Sequence, residues 1–284
     1  MGNHRCPTIP RQGTSLQRQT HRLQPRGECV EAWGALKSIA IKAAGEDGLS
    51  WCNWAHISKP TPPAECMGRT VWFLTGNAGK VKEATHHLQP LGYDVKQLVV
   101  ADGSIIEPQA ETLTEVAMAK IEQAIPFMDH PEDLLLVEDA GLFVDALDGF
   151  PGVYAAYALQ TLGCQGMLRL LNHLGSEDPV QAANLRRASF QAVAVMWVNG
   201  EVFIGNGSCP GWISNGITEG QGFGFDPIFV PSDLDEDGKP LPPGQYGVTS
   251  THGATFGGIS IEQKQKFSHR SRALEDLLRQ LPSA

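Results

Sequence analysis

From Thr70 onward, apolar runs of strand length alternate with stretches of helical period, and this alternation commits the chain to an α/β fold with a mixed sheet. Strands are expected at TVWFLT (70–75), YDVKQLVV (93–100) and DLLLVED (133–139). Helices are expected at AGKVKEATHHLQPLG (78–92), ending near Gly92, and at the amphipathic TLTEVAMAKIEQAIPFM (112–128), whose apolar Val116, Ala119, Ile121 and Ile125 share a side. Two more are expected at 160–175 and 268–281, the last carrying Leu274, Leu277, Leu278 and Leu281. Between them, residues 189–208 read as a hairpin, with Asn199-Gly200 suited to a type I′ turn.

Residues 1–66 break this pattern. They hold 8 Lys+Arg and 5 Asp+Glu, whereas residues 67–284 hold 14 and 26, so a slightly basic extension precedes an acidic body within a net charge of −9. Apolar periodicity there is weak, apart from a short helix near Glu31–Ala44, and Lys59-Pro-Thr-Pro-Pro63 reads as a stiff linker. A low-structure extension at 1–66 and a folded domain at 67–284, with Met67 as its start, are therefore expected. The Arg-rich, acid-poor Met1–Gly27 offers organelle targeting as the alternative, but its few Ser and lack of an amphipathic face favour a cytoplasmic protein. The opening MGNHRC has Cys where N-myristoylation wants Ser or Thr. Six cysteines without CxxC spacing read as free thiols in a reducing compartment. No apolar run approaches the roughly 18 residues that span a bilayer, so no membrane association is expected. An acidic body also argues against nucleic-acid binding, which rests on neutralising phosphates.

A small anionic substrate would instead need a few placed cations and a metal, and four segments supply candidates. T75-G-N-A-G-K80 joins a buried strand to a helix, where backbone N–H groups attract anions, Gly76 and Gly79 allow close approach, and Lys80 adds charge. Its spacing is not that of a Walker A loop, and a plain strand-to-helix turn remains the bland alternative. V137-E-D-A-G-L142 ends an aliphatic strand with Glu138 and Asp139, only one of which needs to face a crevice. A carboxylate there suits Mg²⁺ or a general base on water. G222-F-G-F-D-P-I-F229 presents an aromatic on a Gly-flexed loop suited to stacking on a base, with core packing the alternative for Phe225 and Phe229. In K264-Q-K-F-S-H-R270, Ser268 can cap the last helix, and the cations His269 and Arg270 then occupy a first turn that disfavours them, which hints at a bound anion or base. Two weaker features complete the set. Glu107 and Glu111 precede the Lys120 helix, and D233-L-D-E-D-G238 copies half an EF-hand loop but has Gly244 at the twelfth position, so it reads as a surface loop without calcium.

Taken in order, these segments give the chain from Thr70 to Leu281 a resemblance to the inosine triphosphate pyrophosphatase family. The resemblance rests on TGNAGK, Glu107 with Lys120, EDAGL with DGFPG, FGFDP, and TFGGISIEQKQKFSHRSRAL. It implies an elongated mixed sheet flanked by helices in two lobes, an active-site cleft between them, and a homodimer. It also implies an enzyme that splits a nucleoside triphosphate with water into the monophosphate and pyrophosphate, preferring ITP, dITP and XTP. Thr75, Gly76, Asn77 and Lys80 would hold phosphates, and Lys120 and Lys264 would neutralise them. Glu107 and Asp139, with adjacent Glu138, would bind Mg²⁺, for which Mn²⁺ could substitute, and Asp139 would be the base. The catalytic set implied is thus Asp139, Lys80 and Lys120. Phe223 would stack on the base within the Gly224-Phe225 loop, with Asp226, Ser268, His269 and Arg270 around it. Three departures stand out. Ala140, on the substrate side, replaces a small hydroxyl, Ala155-Ala156 replaces a common cation, and Gly257-Gly258 with Gln263 replaces Ala-Glu and Glu. They bear on efficiency and substrate preference, and they leave a related pyrophosphatase of other base preference, or a non-catalytic nucleotide-binding protein, as the alternatives.

Overall fold

The computed structural model describes residues 68–130, 133–220 and 222–281. The expected extension 1–66, with its linker, its four cysteines and the start at Met67, lies outside the described residues.

The alternation folds as read. Strand β1 (Thr70–Leu74) leads into helix α1 (Ala78–Leu88), then β2 (Asp94–Leu98), α2 (Leu113–Ala124) and β3 (Leu134–Val144). There follow β4 (Pro151–Gly152), α3 (Ala155–Thr161), α4 (Gly163–Leu170), α5 (Pro179–Leu185), β5 (Arg187–Val198), β6 (Glu201–Ile213), β7 (Phe229–Pro231), α6 (Ile261–Gln265) and α7 (His269–Gln280). The helix expected over 160–175 is thus two shorter ones. Gly163, at φ +63°, leaves helical geometry and divides them.

The sheet has seven strands in the order β2-β1-β3-β5-β6-β7, with β4 beside β3. Strands β2, β1 and β3 are parallel, and β3, β5, β6 and β7 run antiparallel, so β3 is the seam of a mixed sheet. Asn199 and Gly200 both have positive φ, as a type I′ hairpin between β5 and β6 requires.

One boundary differs from the sequence expectation in a way that matters for function. Strand β3 does not end at Glu138-Asp139 but continues to Val144, because β5 pairs with it along that whole length, from Leu135 opposite Trp197 to Val144 opposite Ala188. Its parallel neighbour β1 stops at Leu74, opposite Val137. The two carboxylates therefore emerge where β1 has ended, beside the Thr75–Lys80 loop. This is the crevice at the carboxyl end of parallel strands where α/β sheets bind ligands.

The long strands β3, β5 and β6 carry two packed bodies. Around β1 and β3, one sheet face packs Val71, Phe73, Leu134, Leu136 and Ala194 against α1 and α7. The other face packs Leu74, Leu135, Val137 and Val195 against Leu113, Ala117 and Ile121 of α2. At the far ends of the same strands, Leu142, Phe190, Cys209, Phe229 and Phe256 form a second core with α3 and α4. Side chains alternate along a strand, so Glu138 falls on the α1/α7 face and Asp139 on the α2 face. Helix α7 lies directly on β6: a Cβ at Gly207 would overlap the carbonyl oxygen of His269 and the amide of Ala273. That contact fixes the start of α7, where His269 and Arg270 sit.

Candidate active site

The Thr75–Lys80 loop is built by local hydrogen bonds. Thr75 Oγ1 accepts from the Asn77 amide at 3.1 Å, and Asn77 Oδ1 caps α1 by accepting from the Gly79 and Lys80 amides at 2.9 and 3.4 Å. Two of the helix-start amides that a phosphate would use are thus held by Asn77, while Gly76, Asn77 and Ala78 are exposed. Lys80 crosses to β3, with Nζ 2.9 Å from Glu138 Oε2 and 3.1 Å from the Glu138 carbonyl oxygen.

On the opposite face, α2 begins with a capping box between Thr112 and Glu115, which sets its first turn. It buries Val116, Ala117 and Ile121 and presents Lys120 to β3. Lys120 Nζ lies 2.9 Å from Asp139 Oδ2 and 3.3 Å from Glu107 Oε2. One ammonium ion therefore sits between two carboxylates, one nearly buried and one more than half exposed. Burial pushes the Asp139 carboxyl above its ordinary range, against the pull of Lys120 and Lys80. Burial also works against the charge on Lys120, but Asp139 and Glu107 hold its pKa above the usual lysine value. Among the described residues no cluster of three or more His, Cys, Asp or Glu is arranged to hold a metal ion. Asp139 and Glu107 are two hard oxygen donors already gathered about one cation, and they suit Mg²⁺, which takes one or two carboxylates and completes its shell with water and substrate phosphates.

Glu138 belongs to a different constellation. Its side chain is fully shielded from solvent, with Lys80 at 2.9 Å and Arg270 Nε at 3.2 Å from its two oxygens. Burial raises its pKa, but Arg270 and Lys80 more than offset that and hold it at about 2. A carboxylate with no exposure and a cation on each oxygen has no oxygen left to face a metal. The expected Glu138 ligand role is corrected accordingly, and Asp139 with Glu107 is the pair that fits.

Arg270 and Lys264 are also paired within the protein. Arg270 meets Glu83 through Nη1, and Lys264 lies 2.7 Å from both Glu83 Oε1 and Asp226 Oδ2. Of the bound anion or base expected at the start of the last helix, the anion is met from within, since carboxylates of the chain compensate Arg270. His269 is buried, and burial, with Arg270 beside it, drives its pKa well below the usual histidine value, so it is neutral; its ring stacks on Phe190 at 4.8 Å. Ser268 is buried as the α7 N-cap, with Oγ accepting from the Ser271 amide.

Phe223 lies over this charge cluster, its ring 4.8 Å from Lys264 Nζ and 5.5 Å from Arg270 Cζ. Its backbone amide donates to Asp226 Oδ2 at 2.9 Å. A Cβ at Gly79 would come within 2.5 Å of the ring, so Gly79 lets the Gly222–Asp226 loop touch the Thr75–Lys80 loop. Gly79, Glu83, Phe223, Phe256 and Lys264 line a cavity of about 430 Å³, within the range of small-ligand sites. Phe225, which its motif places among substrate contacts, is instead 3% exposed in the second core, which is the core-packing alternative. Gly224 takes the turn at φ +65° that separates the two rings. Ala140 is half-buried against the α1/α7 core and offers only its methyl group.

Sequence reasoning missed Glu83. It lies one helical turn from Lys80 on α1, and an (i, i+3) pair on a helix shares a face, which was the available signal. Of the departures, Gln263 has a visible role. Its amide donates to Ser260 Oγ and its side chain accepts from the Ser260 amide, a capping box that starts α6 and places Lys264. In the acidic loop, Asp235 Oδ1 accepts from the Asp237 and Lys239 amides, making a self-bonded turn.

The Ham1 family profile matches residues 71–280, which contain every site residue described above. The chain belongs to the Ham1 family. Among curated relatives of this Ham1-family chain, the "dITP/XTP pyrophosphatase" of Thermococcus kodakarensis is 39% identical over 204 residues, covering 72% of this chain and 92% of the relative. The protein of the same description from Ignicoccus hospitalis is 36% identical over 217 residues, covering 76% and 98%. Among solved structures, the Ham1 protein of Staphylococcus aureus superposes with a TM-score of 0.54 at 28% identity, covering 74% of this chain and 97% of that one.

Proposed function

We propose that this Ham1-family chain is a Mg²⁺-dependent nucleoside-triphosphate pyrophosphohydrolase. It converts a triphosphate and water to the monophosphate and pyrophosphate, and it prefers dITP, ITP and XTP. The observation that carries the reading is the placement of two unlike sites side by side. An aromatic-covered cavity large enough for a nucleobase adjoins the Thr75–Lys80 loop, and beyond the loop lie Asp139, Glu107 and Lys120.

Each residue then has a task. Phe223 stacks on the base, and Thr75, Asn77, Lys80 and Lys120 hold the triphosphate tail. Asp139 accepts the proton of the attacking water, aided by burial that raises its affinity for protons. Bound Mg²⁺, held by Asp139 and Glu107, would polarise the phosphates and neutralise charge developing on them. Lys80 and Lys120 keep the departing pyrophosphate oriented. Lys264, expected from the resemblance to neutralise phosphate, instead lines the cavity, with Arg270 behind it. It places a donor near the base edge, where a 6-oxo group accepts and a 6-amino group leaves it unpaired, a strong basis for rejection. The same reading takes the protein to be a cytoplasmic homodimer acting on free nucleotides rather than nucleic acid, with residues 67–284 as the catalytic domain.

The relatives named dITP/XTP pyrophosphatase support this base preference. A substrate panel tests it. With Mg²⁺, kcat/KM for ITP, dITP and XTP should exceed that for ATP by about a hundredfold or more. Equal rates for ATP and ITP would overturn the base preference. Tight ITP binding without turnover would make the chain a nucleotide-binding protein instead.

A further inference from the structure

Six charged side chains run unbroken and with alternating sign from the phosphate loop to the base loop. Lys80 meets Glu138, Glu138 meets Arg270, Arg270 meets Glu83, Glu83 meets Lys264, and Lys264 meets Asp226. The separations that bracket the string are 2.9 Å at Lys80–Glu138 and 2.7 Å at Lys264–Asp226. Every member but Lys80 is buried. Three cations and three anions leave no net charge. The members come from α1, β3, α7, α6 and the loop before β7, so no single element sets the geometry. Asp226 extends the string to Phe223 through the backbone amide.

Buried charges with shared partners do not act independently. In a low-dielectric interior each link is strong, and a charge that loses one neighbour turns to the other. Glu138 is the member that joins the phosphate end to the rest. It does not line the cavity and its side chain has no exposure, yet it holds both the phosphate-loop lysine and Arg270. A simple counter-ion role would need only one of those contacts.

We propose that Glu138 is a positioning residue that couples base occupancy to the grip on phosphate. This rests on the reading above that the base lies at Phe223 and the phosphates at Lys80. A base that fills the cavity meets Lys264 and Glu83 in its wall; fixing them fixes Arg270, which fixes the Glu138 carboxylate, which sets Lys80 for the phosphates. Binding at either end then pays the cost of ordering the shared string once, so each end strengthens the other.

The test separates the substrate into its two halves. Inorganic tripolyphosphate is titrated calorimetrically into the full chain with Mg²⁺, with and without saturating inosine. Inosine should tighten tripolyphosphate about fivefold or more, within the usual range of coupling between sites. In Glu138→Gln, each half should still bind alone while the coupling falls below about twofold. A purely structural role for Glu138 would weaken both halves and leave the ratio unchanged. Wild-type binding that is independent, or weakened by inosine, overturns the proposal, as does coupling that survives in Glu138→Gln. Should that variant fail to fold, Glu83→Gln breaks the string one link nearer the base, and the wild-type ratio already decides. If neither half binds, the placement of base and phosphates fails, and the proposal with it. If both bind without coupling, only the proposal fails.

Discussion

Replacing Arg270 with Met should be among the most damaging single changes outside the apolar core. The guanidinium is 3% exposed and lies between Glu138 and Glu83. Without it, Glu138 keeps only Lys80, and Glu83 keeps only Lys264, which Asp226 also claims. Removing one partner of a buried ion pair costs about 3–5 kcal/mol, because the charge left behind has neither water nor a counter-ion. In a domain of this size that corresponds to a fall in Tm of roughly 6–20 °C. Acid should narrow the gap. In the wild type, Glu138 titrates at about 2 when folded against its ordinary 4.5, so its stabilisation is complete above 4.5 and is lost as the pH falls towards 2. In the variant the strongest counterweight to burial is gone, the Glu138 pKa rises, and protonation relieves the buried charge. The difference between the two proteins should therefore be largest near neutral pH and shrink as the pH drops through the carboxylate range. Urea unfolding of both proteins at neutral and mildly acidic pH measures this. A difference under about 1 kcal/mol at neutral pH is what an exposed pair would give and would refute the claim that these charges are dry. A difference that grows as the pH falls would refute the assigned sign.

Two further outcomes follow from the same geometry, and a third from the family match. Asp139→Asn should leave the fold intact and lower kcat by about 10²–10⁴, the range of a general base, with steady-state kinetics on ITP as the check and near-normal turnover the contrary result. Gly207→Ala would push a Cβ into the His269 carbonyl; thermal melts should show a loss of about 1–3 kcal/mol as the start of α7 is displaced. On the extent of the Ham1 match at 71–280 rather than on the geometry, deleting residues 1–66 should leave kcat/KM for ITP within about twofold, and loss of soluble, active protein would contradict that.

What the sequence made legible was local. The alternation of apolar period placed β1, α1, β2, α2 and the β5–β6 hairpin, and Ser268 and Asn199-Gly200 carried their cap and turn in plain view. What escaped depended on partners distant in the chain. Glu138-Asp139-Ala140-Gly141 looks like a strand end because carboxylates and Gly disfavour strands, yet pairing with β5, about fifty residues away, carries β3 through it. Asp139 and Glu138 are adjacent and alike, and only the alternation of faces, with Lys120 on one side and Lys80 with Arg270 on the other, separates their environments. Glu83 read as an ordinary polar position of α1 because its partners, Lys264 and Arg270, lie nearly two hundred residues on. Phe225 and Phe223 share a motif, but their burial divides them into a core residue and a cavity wall.

If, as proposed, Asp139 directs water at the α-phosphate while the other end of the site holds the base, solvent oxygen must enter the monophosphate. The most direct measurement is hydrolysis of ITP in water enriched in heavy oxygen, with the label located by phosphorus NMR. The predicted result is heavy oxygen on the phosphate of IMP and none in pyrophosphate. Label in pyrophosphate, or release of orthophosphate with IDP, would rule out attack of water at the α-phosphate.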